Sequence, residues 1–397
     1  MNRRTHLKSA IMIAILTVIV SACGTVEEKA GKKINQFMEK SGTLGLAVAV
    51  VKDGQIVYTG SFGQRSPNDE TPLKDGDIFR IASISKSFTT TTLMKLVEEG
   101  KVSLDDEVSS LTGFPVQNPQ FPETPITVKM LLSHSSSLND SQGYFTLNTL
   151  NPATNPDYAK CYNNYEPGTA YEYCNFGFNT IGTIIEKLSG VRFDQYVREV
   201  VILPLNLTAS FNVDDLPGAT FVPLSHPDTT GFAATGKIGF TISEGVYNSI
   251  AARLDTAYIM GYTTPMFSPT GGMKTSARDL ARYMIMHMNY GIDPASGVRI
   301  ISEDNSKLMQ TPAIPTGDEG GYGLALTRTT NLIKGETMVG HTGSAYGLYS
   351  AMYFEPEKKF GIVMMTNGTT PDYATYVNGY APVQREVVNI LYNVFIK

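Results

Sequence analysis

The stretch Phe79-Arg80-Ile81-Ala82-Ser83-Ile84-Ser85-Lys86 runs from an apolar segment into a long helical pattern that ends at Gly100. Ser83 and Lys86 are three residues apart, so on a helix they share one face within contact distance. A serine hydroxyl needs a neighbouring base to take its proton as it attacks. An amine can be that base when burial or a helix N-terminus lowers its pKa. The pattern therefore predicts a serine nucleophile with a lysine base, although Ser-x-x-Lys alone is weak evidence.

Two further motifs follow in the expected order, Tyr173-Cys174-Asn175 and His341-Thr342-Gly343. With Ser-x-x-Lys they resemble the set found in serine β-lactamases and penicillin-binding proteins. The chain resembles the class C β-lactamase and D-alanyl-D-alanine carboxypeptidase family, whose middle motif is Y-x-N and whose third motif reads K-T-G or H-T-G. The resemblance covers residues 43–395 and takes in segments 79–108, 131–136, 166–169, 271–272 and 276–281.

The resemblance implies a role for each residue of the first two motifs. Ser83 would form an acyl-enzyme, with Lys86 and Tyr173 moving the protons. A nearby ammonium would make the Tyr173 phenol easier to ionise. Asn175 would orient Lys86 and donate to a substrate amide. Tyr-x-Asn occurs three times in the chain, and only the copy at Tyr173 follows a Pro-Gly-Thr turn and precedes a glycine-punctuated helix.

The third motif would contribute binding groups on a strand. Gly343 would let backbone approach a ligand along the sheet edge beside Thr342. The backbone N–H groups of Ser83 and Ser344 would form an oxyanion hole. His341 would recognise a substrate carboxylate, with a charge that fades as pH rises through about 6 to 8.

The fold class expected is α+β, a helix-flanked antiparallel sheet with an inserted, mostly helical subdomain of the β-lactamase/transpeptidase type. The hairpin around Asp53-Gly54 and the strand patterns after residue 322 supply the sheet. Residues 34–80 and 270–397 would form the sheet subdomain, and 81–269 the helical one. We expect residues 214–269 to form a long decorated loop over the site.

The N-terminus has the pattern of a secretory signal. Arg3, Arg4 and Lys8 precede an apolar run of about eleven residues, which is too short to span a bilayer. We expect a signal peptide at 1–22, lipidation at Cys23, and a tether at 23–33. A serine hydrolase domain would follow at 34–397. The protein would be an exported bacterial lipoprotein held at the membrane of the cell envelope.

The two remaining cysteines, Cys161 and Cys174, form either a disulfide or two free buried thiols. A bond would close a loop of about 14 residues and brace the Tyr173 loop. His134 belongs to a segment that looks architectural. Ser137 stands where the family usually has glycine, so it carries strain if that position needs a positive φ.

The composition limits the kinds of partner that we expect this protein to bind. A net charge of −5 with interspersed signs argues against nucleic acid. The sequence has no motif with metal-ligand spacing, so we expect neither a metal nor a cofactor. We also expect a monomer. The most probable substrates are D-alanyl-D-alanine-type cell-wall peptides or esters. The alternatives are a β-lactamase and a catalytically inactive penicillin-binding sensor.

Overall fold

A computed structural model describes residues 24–231, 238–317 and 320–397. The expected signal peptide and Cys23 lie outside the described residues. Over the residues that it describes, the structure confirms the α+β class, with a nine-stranded antiparallel sheet covered by helices on both faces and a mostly helical region, which carries two small sheets, inserted between its first and last strands.

The strands follow the chain from residue 45 to residue 366. They are β1 (Gly45–Lys52), β2 (Gln55–Ser66), β3 (Asp69–Pro72), β4 (Phe79–Arg80), β5 (Ala209–Ser210), β6 (Ser225–Asp228), β7 (Gly239–Ile242), β8 (Lys274–Thr275), β9 (Ile314–Pro315), β10 (Gly320–Tyr322), β11 (Thr327–Thr329), β12 (Met338–Ala345), β13 (Leu348–Glu355) and β14 (Phe360–Thr366).

The α-helices lie on both sides of the sheet and in the inserted region. They are α1 (Val26–Ser41), α2 (Ser85–Glu98), α3 (Val108–Thr112), α4 (Val128–Leu132), α5 (Asn175–Ser189), α6 (Phe193–Val197), α7 (Ala251–Ala257), α8 (Ala277–Met288), α9 (Glu303–Gln310), α10 (Pro371–Ala374) and α11 (Pro382–Leu391). Single π-helical turns at Arg198–Ile202 and Tyr392–Ile396 extend α6 and α11. Within the described ranges, no helix combines the length and apolar character needed to cross a membrane.

The main sheet has the order β3-β2-β1-β14-β13-β12-β11-β10-β9, with antiparallel pairs throughout. Strand β1 shows why both faces are covered, since successive side chains of a strand point to opposite faces. Leu46, Val48 and Val50 pack in the core under α1 and α11. Ala47 and Ala49 pack in the larger core shared with the inserted helices. The sheet therefore separates two hydrophobic cores.

Helix α1 shortens the predicted tether. Thr25 and Glu28 form a capping box at its start, and Ala30, Ile34 and Phe37 are buried against the sheet. Residues 26–33 are thus part of the folded domain, because their apolar positions recur at helical spacing and find a partner surface.

Strand boundaries after residue 320 also differ from the sequence-based ones. The pattern after residue 322 predicts a strand that begins at Gly323, but the structure has the short strands β10 and β11 separated by residues 323–326. Gly323 passes so close to the main-chain oxygen of Met309 that an added Cβ would lie 2.2 Å from it. The segment between the strands is therefore held by packing against α9 and not by a ladder.

The segment 214–269 contains β6, β7 and α7 in its described part, so it is more ordered than the predicted loop. The Tyr247 hydroxyl accepts a hydrogen bond from Arg80 N at 3.0 Å, and Ser243 Oγ donates to the Tyr346 carbonyl. These contacts dock the segment beside the Ser83 turn.

Candidate active site

Ser83 lies in a 3₁₀ turn, Ala82–Ile84, that leads directly into α2. The residue before it, Ala82, has a φ of +47°, which is uncommon for a residue with a Cβ. The Ser85 hydroxyl holds this backbone by donating to Ala82 O at 2.6 Å and accepting from Met273 N at 3.0 Å. The turn is thereby fixed with Ser83 at the start of the helix, as the sequence predicted.

Lys86 lies one turn further along the same face and is fully buried. Its Nζ donates to Ser83 Oγ at 3.2 Å, to Asn175 Oδ1 at 2.9 Å and to Thr270 O at 2.9 Å. Burial lowers the Lys86 pKa to about 7, although the negative charge of Asp140 opposes the shift. A lysine with that pKa is half neutral near pH 7, so it can accept the serine proton.

Tyr173 is placed over the same pair. Its hydroxyl is hydrogen-bonded to Ser83, and Lys86 Nζ lies 4.7 Å from its ring centroid. Burial raises the Tyr173 pKa well above its usual value, and the hydrogen bond from Ser83 opposes this only in part. The expectation of an easily ionised phenol is therefore wrong, because burial raises the Tyr173 pKa more than the hydrogen bond with Ser83 lowers it. Tyr173 is a neutral group that can relay a proton.

Asp140, which the sequence analysis did not select, organises the middle motif. One of its carboxylate oxygens accepts from Asn175 N and Nδ2 at 2.9 and 2.8 Å, and the other accepts from Phe176 N at 3.0 Å. These N–H groups belong to the first turn of α5, where backbone donors lack helical partners. Asp140 thus caps α5 and fixes the amide of Asn175 so that its oxygen faces Lys86.

Thr270 was also missed, although it directly precedes the Gly271-Gly272 pair that the sequence analysis selected. Its hydroxyl donates to Asn175 Oδ1 at 2.7 Å, and its carbonyl accepts from Lys86 Nζ. Lys86 is therefore held from two sides by uncharged oxygens, which explains why it is positioned without a carboxylate in contact.

The third motif lies on β12, beyond the last residue that pairs with β11. The β11–β12 register ends at Thr327 opposite Gly340, so the edge from His341 to Ser344 is not covered by β11. Gly343 packs against the Ser83 turn, and a Cβ there would lie 2.4 Å from Ile81 O. Gly343 is thus needed for close packing against the Ser83 turn, which brings Ser344 toward that turn, and the predicted approach of its backbone to a ligand stays a prediction.

His341 is buried and neutral, which corrects its predicted role. Its Nε2 accepts from the Tyr322 hydroxyl at 2.9 Å, and Nδ1–H donates to Thr342 O, a tautomer assigned from these partners. Burial lowers the His341 pKa to about 3, with a further contribution from Lys86. Imidazolium is therefore not available between pH 6 and 8 to bind a carboxylate.

A cleft of about 920 Å³ opens onto Ser83. Tyr173, His341, Thr342 and Ser344 line it, together with Arg328 of β11. Arg328 is exposed at the rim of the cleft. Among the described residues that line the cleft, it is the positively charged side chain. The strand pattern around Thr327 contained no feature that would have marked Arg328 as a site residue.

The predicted disulfide is absent. Cys161 and Cys174 are free, buried thiols. Cys174 Sγ donates to Asp140 Oδ1 at 3.4 Å, whereas Cys161 Sγ donates to Thr149 O at 3.5 Å. The two sulfurs thus face different partners, and the Tyr173 loop is braced by Asp140 instead of by a covalent link.

The segment around His134 is architectural, as predicted. His134 Nδ1 accepts from Cys174 N at 3.1 Å, and its ring lies 4.3 Å from that of Tyr173. Ser137 has a φ of +63°, which confirms that this position needs the conformation that glycine adopts easily. In the part of the chain that the structure covers, no group of three or more His, Cys, Asp or Glu side chains could hold a metal ion.

Comparisons with known proteins agree with this geometry. The family described as Beta-lactamase matches residues 31–383. Penicillin-binding protein 4 of Amycolatopsis lactamdurans is 27% identical over 340 residues, covering 82% of this chain and 81% of that protein. Penicillin-binding protein 4* of Bacillus subtilis (strain 168) is 33% identical over 199 residues, which are 47% of this chain and only 41% of that protein's length.

Solved structures give the same result. The octameric penicillin-binding protein homologue from Pyrococcus abyssi superposes with a TM-score of 0.71 at 27% identity, covering 92% of this chain and 76% of that one. D-amino acid amidase from Ochrobactrum anthropi SV3 superposes with a TM-score of 0.68 at 19% identity, covering 93% and 98%, and shares the fold. The chain therefore belongs to the Beta-lactamase family and is a serine hydrolase of that family.

Proposed function

We propose that the protein is an exported serine hydrolase that forms an acyl-enzyme on Ser83 and cleaves peptides ending in a D-amino acid with a free carboxylate. The observation that supports acyl transfer is the buried contact of Lys86 with Ser83, with the Lys86 pKa lowered to about 7. The names of similar proteins support this substrate class, because they include penicillin-binding proteins and a D-amino acid amidase.

The reaction begins with Ser83 Oγ attacking the scissile carbonyl while Lys86 Nζ takes its proton. The backbone N–H groups of Ser83 and Ser344 stabilise the oxyanion. Tyr173, hydrogen-bonded to Ser83 and beside Lys86, passes a proton to the leaving amine. A water molecule then attacks the acyl-enzyme, Ser83 recovers its proton, and the acyl group leaves as a carboxylic acid.

Arg328 supports the carboxypeptidase assignment over the esterase alternative. Because His341 is neutral, it cannot supply the positive charge that a carboxylate requires. Arg328 carries a guanidinium group, which presents a planar set of donors that matches a carboxylate. We propose that Arg328 binds the C-terminal carboxylate of the substrate and that His341 orients the strand edge.

The test is the Arg328→Gln variant with two matched peptides, one ending in D-alanyl-D-alanine and one carrying the same sequence as its C-terminal amide. A hydrogen bond to a charged group contributes about 1.5–3 kcal/mol, so kcat/KM for the free acid should fall about 10- to 100-fold. The amide and p-nitrophenyl acetate should change less than about twofold. Arg299→Gln, at an exposed arginine on another part of the surface, is the matched control.

Each alternative gives a different outcome. Turnover of the ester without either peptide would support an esterase. Fast loss of benzylpenicillin without peptide cleavage would support a β-lactamase. A permanent penicillin adduct on Ser83 without any turnover would support the inactive sensor. Equal losses for both peptides in Arg328→Gln would contradict carboxylate recognition by Arg328.

Location and assembly are part of the proposal. Positively charged residues, an apolar run and Val20-Ser21-Ala22-Cys23 support export and lipidation at Cys23, with the hydrolase domain held at the membrane. We propose a monomer that acts on small molecules or cell-wall peptides and does not bind nucleic acid. Mass spectrometry of the N-terminal peptide from membrane fractions tests the anchor, since an unmodified chain beginning at residue 1 would contradict it.

A further inference from the structure

A second cavity, of about 280 Å³, lies next to the segment that holds Lys86, and we name it the Arg80–Lys274 cavity. Ser268 and Gly272 form one wall, and Arg253 of α7 lies at another. Among the described residues, it shares no lining side chain with the cleft that opens onto Ser83. It is therefore a separate cavity beside the catalytic cleft.

Two cations face each other in this cavity. Arg80 on β4 and Lys274 on β8 are direct partners in the antiparallel register. Side chains at such positions have Cβ atoms about 4.5–5.5 Å apart, and like charges placed there repel each other. Lys274 is only 7% exposed, so water does little to screen the repulsion. Without an anion beside it, a pair of this kind favours the neutral form of Lys274, and a bound anion would favour its charged form.

Both cations have donors left over. Arg80 Nε donates to Gly271 O at 2.7 Å and Nη2 donates to Ser268 Oγ at 3.2 Å, which uses two of its five N–H groups. Lys274 Nζ donates to Phe211 O at 2.6 Å, which uses one of three. These hydrogen bonds leave several N–H groups of Arg80 and Lys274 beside one cavity.

Nearby carboxylates do not neutralise the pair. Asp194, Asp214 and Asp215 raise the Lys274 pKa, but burial and the charge of Arg80 outweigh them and lower it to about 7. Each of the three accepts hydrogen bonds from other side chains. Within the described ranges, neither Arg80 nor Lys274 takes part in an ion pair.

We propose that the Arg80–Lys274 cavity binds a small dianion whose oxygens accept from both cations, namely phosphate, a phosphomonoester or a small dicarboxylate. The cavity has the volume of about nine water molecules at about 30 Å³ each, which accommodates phosphate with a short organic group. The amide side chains of Asn212 and Asn248 line it as further donors. Arg253, exposed at the rim, adds a third positive charge.

The experiment measures Tm and the dissociation constant of inorganic phosphate and of succinate at constant ionic strength, with chloride as the reference anion. A ligand that binds only the folded state stabilises it, so saturating phosphate should raise Tm by on the order of 2 °C or more. Lys274→Met should weaken binding at least about tenfold, because it removes a charged donor. Arg253→Gln, an exposed change that leaves the core intact, should weaken binding about threefold. Comparison of the two anions identifies which class the cavity prefers.

The controls separate this cavity from the cleft. Ser83→Ala, Arg328→Gln and Arg299→Gln should all keep the phosphate shift. Loss of the shift in Arg328→Gln together with its retention in Lys274→Met would place the anion in the catalytic cleft and overturn the proposal. Phosphate and succinate that stabilise the wild type no more than chloride does would also overturn it. The result does not depend on which substrate the enzyme hydrolyses.

Discussion

The protonation state of Lys86 gives the most direct quantitative prediction. With a pKa of about 7, about half of the Lys86 side chains are neutral at pH 7. At the ordinary value of 10.5, only about one in 3,000 would be neutral, which corresponds to about 5 kcal/mol of differential stabilisation. Burial therefore makes the neutral fraction of Lys86 at pH 7 about three orders of magnitude larger than that of a solvent-exposed lysine.

We expect kcat/KM for a neutral ester such as p-nitrophenyl acetate to rise about tenfold per pH unit below pH 6 and to level off above about pH 7.5. Lys86→Arg keeps a positive charge but has a pKa above about 12, so it should lose on the order of a thousandfold or more in acylation. The measurement is the rate of acyl-enzyme formation by stopped flow between pH 5 and 9.

Asp140→Asn tests the cause of the pKa. The Asp140 carboxylate favours protonated Lys86, so its removal should move the rising limb to lower pH, while Asp157→Asn at an exposed site should leave the limb in place. A flat profile between pH 5 and 8 in the wild type would show that Lys86 does not act as the base. A limb that stays fixed in Asp140→Asn would refute the electrostatic account.

Three further predictions follow from packing and burial. Gly343→Ala should destabilise the fold by about 2–3 kcal/mol and abolish acylation, since the new Cβ would lie 2.3 Å from Ser350 Oγ; an unchanged urea midpoint would contradict this. Alkylation of the denatured, unreduced chain lacking Cys23 should label both Cys161 and Cys174, and protection of both would indicate a disulfide. In the absence of phosphate, the free energy of unfolding of the wild type relative to Lys274→Met should increase by about 3 kcal/mol between pH 7 and 9.5, because the unfolded lysine keeps its proton longer than the folded one. Parallel curves from urea denaturation would mean that Lys274 is charged in the folded state.

Local patterns predicted most of the framework. The Asp53-Gly54 turn joins β1 and β2 as expected, and Gly190 ends α5 in a left-handed conformation. A turn and a helix end each depend on a few adjacent residues, so both can be predicted from the local sequence. Helix α1 could have been found by the same reasoning, because Thr25 and Glu28 form a visible capping box.

The errors in the site have a different origin. The protonation of His341 and Tyr173 depends on how completely the folded chain excludes water, and no motif records that. The free thiol of Cys174 depends on Asp140, which lies 34 residues away in sequence. Motifs identified which side chains meet, whereas burial decides which of them carry charge.

The charges of the site are coupled, and this coupling bears on where the proposed substrate carboxylate can bind. The charge of Lys86 lowers the His341 pKa, and both side chains are desolvated, so the neutral form of His341 is favoured beside Lys86. A charged His341 would also make Lys86 a weaker base. The positive charge for a carboxylate must therefore come from a side chain that remains partly in water. Arg328, exposed on the rim of the same cleft, meets this requirement without disturbing Lys86. The arrangement thus combines a buried set of proton carriers with a solvated cation, to which we assign recognition of the proposed substrate carboxylate.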